Sequence, residues 1–76
     1  MSARPIKAVL TNSYFDELWT RSYSTKENAL TKATSVMIQD CQPGCVVTVT
    51  DEHGNWLGTA KLLVGGHLDI VWKEGD

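Results

Sequence analysis

An α+β fold, one antiparallel sheet of about five strands with a single α-helix packed on one face, is what this 76-residue chain predicts. Three observations carry that expectation. Ser24 followed by Glu27 opens a helical run, Cys45 to Thr50 alternates valine with threonine, and Gly65-Gly66 separates two apolar segments. The element order is β-β-α-β-β-β within one domain, residues 1–76.

Pro5 to Thr11 is rich in apolar and β-branched residues and reads as the first strand. For residues 12–22 there are two readings. Ser13 and Asp16 have the chemistry to cap a short helix covering Phe15, Leu18 and Trp19. Leu18 to Tyr23 has strand composition, with Phe15-Asp16-Glu17 as its loop, and this hairpin is the expectation. Ser24 and Glu27 then form a capping box, the serine oxygen accepting near Glu27 while the glutamate reaches back to the serine N–H. Ala29, Leu30, Ala33, Val36, Met37, Asp40 and Cys41 follow at three- and four-residue steps, one face of a helix. Cys45 to Thr50 is a half-buried strand, and Asp51 to Asn55 a turn in which Gly54 permits a positive φ. Trp56 to Val64 is the fourth strand, Gly65-Gly66 a two-residue hairpin loop, and His67 to Lys73 the fifth strand, with a charged tail at residues 74–76.

Composition narrows the function classes. Seven basic against nine acidic residues give a net charge of −2 with no basic stripe, so direct nucleic-acid binding is not expected. The same balance is too mild for a nucleic-acid mimic. No apolar run follows Arg4, and Leu62-Leu63-Val64 is far short of a membrane span, so a soluble cytoplasmic protein is expected. A chain this short buries only about 60% of its unfolded surface, which keeps a homodimer open as a way of adding core.

Cys41 and Cys45 flank Gln42-Pro43-Gly44, a turn sequence. Free thiols and a disulfide across the turn both remain open, the latter if the Cα atoms come within about 7 Å. Zinc would need two further ligands, and Cys-x3-Cys with His53 and His67 matches no standard spacing. Neither metal nor cofactor is implied.

The final hairpin allows its faces to be assigned. With Val64 opposite His67, residues Leu57, Leu63, Leu68, Ile70 and Trp72 share one face. Trp56, Ala60, Leu62, Val64 and Val71 share the other with His67 and Asp69. Both faces are apolar, yet one helix covers only one of them, so the second set is the candidate binding face. A bulge at Gly58, or the N-terminal segment, is what would otherwise hide it. Catalytic signatures are missing: Asp16-Glu17 and Asp51-Glu52 fall in turns, and no nucleophile stands beside His67 and Asp69. Cys45 and His53 lack any accompanying oxyanion hole.

Two segments carry a resemblance. Tyr23-Ser24-Thr25-Lys26-Glu27-Asn28-Ala29 and Val47-Thr48-Val49-Thr50-Asp51-Glu52-His53-Gly54 are similar to small β-β-α-β-β domains of bacteria and phages. With Gly54-Asn55-Trp56-Leu57 added, roughly residues 18–60 resemble in layout the phage-encoded anti-CRISPR inhibitors of type I surveillance complexes. That resemblance implies a non-catalytic protein of the host cytoplasm that occludes a surface of a host protein or ribonucleoprotein complex. Such inhibitors often carry a basic patch where they block a guide-RNA or DNA path. This chain lacks one, which points away from that mode. The alternative is a small nucleic-acid-binding module that stacks bases on tryptophan and tyrosine beside Arg21 or Lys61 on an open sheet.

Overall fold

A computed structural model describes residues 5–73; the expected charged tail lies outside the described residues. The elements are β1 (Ile6–Thr11), β2 (Glu17–Tyr23), α1 (Lys26–Asp40), β3 (Val46–Thr50), β4 (Trp56–Leu62) and β5 (Leu68–Trp72). They form one antiparallel sheet in the order β2-β1-β3-β4-β5. The α+β class, five strands and one helix, is as the sequence predicts. Because β2 and β3 both run antiparallel to β1, α1 crosses over β1 to join them.

Period-two alternation selects the core. Ala8 and Leu10 of β1, Val47 and Val49 of β3, and Ala60 and Leu62 of β4 point to the helix side and are buried. Ala29, Ala33 and Met37 meet them from α1. Alanine supplies four of these positions, and small side chains let the helix lie close to the sheet. Thr34 is the one buried polar residue among those described, and its hydroxyl donates to the Leu30 carbonyl at 2.6 Å. Asp40, placed on the inner stripe by its spacing, is exposed.

The helix starts one residue later than the capping box implies. Thr25 is the N-cap, its Oγ1 accepting from the Asn28 N–H at 3.1 Å, while Ser24 Oγ only meets the Asn28 side-chain amide at 3.4 Å. Thr25 is in extended conformation, so its side chain spans three residues to Asn28 just as serine was expected to reach Glu27. The hairpin reading of residues 12–22 is the observed one. Asn12 Oδ1 accepts from the backbone N–H groups of Tyr14 and Asp16 and organises the loop.

The last hairpin differs in register from the expectation. Leu62 pairs with Leu68, Ala60 with Ile70 and Gly58 with Trp72, one residue away from pairing Val64 with His67. A β-turn from Leu63 to Gly66 places Gly65 at φ +89°, and Leu63 and His67 close the ladder. The loop is therefore three residues, Val64 to Gly66, and β4 ends at Leu62. A one-residue slip turns every side chain of one strand over relative to the other. Ala60 and Leu62, assigned to the open face, are core residues at 0% and 3% exposure. The bulge expected at Gly58 falls next to it. Val49 pairs with Gly58 but Thr50 with Trp56, so Leu57 is the extra residue and Trp56 turns onto the face of Thr50.

Candidate binding surface

With the register corrected, the face that α1 leaves uncovered can be read across the ladder. Thr20, Val9, Thr48, Thr59 and Val71 form one row through all five strands. Ser22, Lys7, Thr50 and Trp56 form the row on one side of it, and Thr11, Val46, Lys61 and Asp69 the row on the other. Trp56 lies along this face with its indole N–H donating to Thr59 Oγ1 at 2.7 Å. This is the hydroxyl-rich outer face that an antiparallel sheet presents to water. The apolar excess predicted for it came from the mistaken register.

Of the seven candidate residues, Trp56, Asp69 and Val71 are on this face and exposed. Val64 stands in the exposed β4–β5 loop and His67, also exposed, directly after it where the ladder closes, and Ala60 and Leu62 are withdrawn into the core. The candidate set is thus split among three places.

Exposed apolar bulk gathers instead at one end of the sheet. The β1–β2 loop, the helix-to-β3 turn and the β4–β5 loop all lie there, since β1 and β4 end where β3 begins. Gly44 ties them together: its N–H donates to the Leu62 carbonyl at 2.9 Å, and a Cβ on it would come within 3.0 Å of Ser13 Cβ. Tyr14 and Phe15 at the first loop are 82% and 83% exposed, and Val64 at the last is 82%. Phe15 holds φ at +66°, a region where a bulky L-residue is strained. The sequence carried a signal for these residues in two adjacent aromatics inside a loop that otherwise reads Asn-Ser-Asp-Glu.

Chemical groups are sparse. Cys41 and Cys45 are free thiols. Burial pushes the Cys41 thiol up to about 11, with the adjacent Cys45 side chain and the Asp40 carboxylate adding to it, so it stays protonated at neutral pH. Asp51 is held below the usual carboxylate range, chiefly because Asn55 N–H donates to it, with His53 N–H adding a second bond. That carboxylate organises the β3–β4 turn. A groove of about 430 Å³ between α1 and the end of β5 is lined by Lys26, Glu27, Leu30, Thr31, Trp72 and Lys73. It is open, and no nucleophile is paired with a base in it. Among the described residues, no three His, Cys, Asp or Glu side chains are grouped as metal ligands would be. No helix among the described residues is long and apolar enough to cross a membrane. Compared with family models, curated proteins and solved structures, the chain matches none of them.

Proposed function

We propose that the protein is a non-catalytic protein-binding module whose loop end, led by Tyr14 and Phe15, docks onto a partner. One observation carries this reading: two aromatic rings stand in solvent on a loop organised by Asn12, one of them on a strained backbone. Neither ring helps to bury the core, and strain kept without a packing return is characteristic of recognition sites. Aromatic side chains on a short, hydrogen-bonded loop are pre-ordered, so little entropy is lost when they seat in a partner's pocket. The likeness of residues 18–60 to phage inhibitors of type I surveillance complexes makes such a host complex the first partner to test. The mild negative charge argues for occluding a protein surface rather than a nucleic-acid channel.

The test compares the wild-type protein with Phe15→Gly and Tyr14→Ser in a target-DNA binding assay of a purified type I complex. Inhibition by the wild type, lost in both variants, supports the proposal. Absence of inhibition removes the anti-CRISPR reading. Sub-micromolar binding of the protein itself to single-stranded DNA at about 150 mM salt would favour base stacking instead.

A further inference from the structure

The sheet has two edges, and they differ in how they are finished. On the β2 edge, Arg21 lies over the Trp19 ring at 4.9 Å, and Glu17, Thr20, Arg21 and Ser22 are exposed beside one exposed aliphatic residue, Leu18. On the β5 edge, Ile70 and Val71 are exposed on opposite faces, and α1 packs on the other four strands but not on β5. Among the described residues no strand or helix covers the backbone of that edge, and α1 reaches β5 only through Lys26, whose Nζ lies 5.6 Å from the Trp72 ring. Such a strand is a template for adding another.

The backbone of β5 fixes how a partner strand would add. Leu63 N–H donates to the His67 carbonyl at 2.8 Å and Lys73 N–H to the Leu57 carbonyl at 2.9 Å. Antiparallel ladders alternate, so the odd residues of β5 turn their backbone groups to β4. The N–H and C=O groups of Leu68, Ile70 and Trp72 therefore face outward.

We propose that β5 is a self-association edge, two copies pairing antiparallel about a two-fold axis at Val71. Charge selects this register from its neighbours. Centring on Asp69 would set two carboxylates against each other, and centring on Ile70 would put Asp69 opposite a valine. Centring on Val71 puts Asp69 opposite Lys73 of the second copy, twice by symmetry. Asp69 already stands opposite Lys61 within the chain, so its carboxylate lies between two ammonium groups. On the helix side Ile70 comes opposite Trp72, an aliphatic–aromatic pair, and the outward groups of both residues are matched. The result is a ten-stranded sheet with both helices on one face. Two five-residue edges bury much less than the roughly 1,600 Å² of a standard interface, so the dimer is weak and concentration-dependent.

Sedimentation velocity of the full chain between about 1 μM and about 1 mM tests this. The wild type should pass from monomer to dimer over that range. Asp69→Lys and Lys73→Glu should each weaken the dimer about tenfold, and the double charge swap should restore it. Val71→Lys, at an exposed position on the axis, should leave circular dichroism unchanged and abolish the dimer. A wild type that remains monomeric throughout overturns the proposal. So does a dimer indifferent to Val71→Lys, or single-variant losses that the double swap does not recover.

Discussion

The ring of Trp72 lies directly over Gly58, its partner across the β4–β5 ladder. A Cβ at position 58 would stand 2.5 Å from Trp72 Cζ3 and nearer still to Cε3. Glycine here makes room for an aromatic ring that closes the end of the core beside the start of α1. Lys26 Nζ lies 5.6 Å above the same ring, so Trp72 is held between sheet and helix start.

Gly58→Ala should therefore displace the ring and cost about 1–3 kcal/mol. Trp72→Ala should cost about 2–4 kcal/mol through lost burial. Urea denaturation of both variants checks this, and a neutral Gly58→Ala would mean that the ring lies elsewhere.

The cap assignment separates two neighbouring residues. Thr25→Ala should cost roughly 1 kcal/mol, because Asn28 N–H loses its acceptor. Ser24→Ala should cost only a few tenths, since it makes a single long contact to an exposed amide. Ala33→Asp on the buried stripe should cost at least about 3 kcal/mol, by placing an unpaired charge against Val47 and its neighbours. Thermal melts rank the three.

Cys41 gives a pH prediction. Its thiol is raised from an ordinary 9.0 to about 11, so the folded state holds its proton where the unfolded chain has released it. The associated stability is fully present below the unfolded value and is lost as pH rises from about 9 to about 11. Iodoacetamide alkylation of Cys41 should reach half its maximal rate near pH 11 in the native protein, against about 9 in urea.

Phe15→Gly relieves a positive φ, and should raise stability by about 0.5–1 kcal/mol. Gain in melting temperature with loss of partner binding is the expected combination. A variant that loses stability would show that the ring has a packing role.

Trp56→Ala should leave the fold largely intact, because the ring lies outside the core on the hydroxyl-rich face with one hydrogen bond to Thr59. Far-UV circular dichroism and a denaturation curve close to wild type are expected. A loss above about 2 kcal/mol would mean that the Leu57 bulge depends on that ring.

Local signals in the sequence determined the class, the element order and most of the core. Alternation in β3 marked Val47 and Val49 because period two is a property of the strand itself, while composition marked β1 as a strand without saying that Ala8 and Leu10 are its buried residues. The three- and four-residue spacing of Ala29, Ala33 and Met37 did the same for α1. Spacing could not place Asp40, which is exposed at the helix end, or Thr34, whose hydroxyl is satisfied by its own helix. Only tertiary structure decided which way β4 faces. Gly65-Gly66 serves a two-residue or a three-residue loop equally well, and the choice depends on which residues of β4 can be buried beneath a helix. Ala60 is small enough to lie under α1, and Gly58 makes way for Trp72, so the longer loop places Leu62 in the core. The surfaces followed from that choice. A hydroxyl-rich face replaced the apolar one expected, and Ala60 and Leu62 went to the core because long-range register turned β4 over.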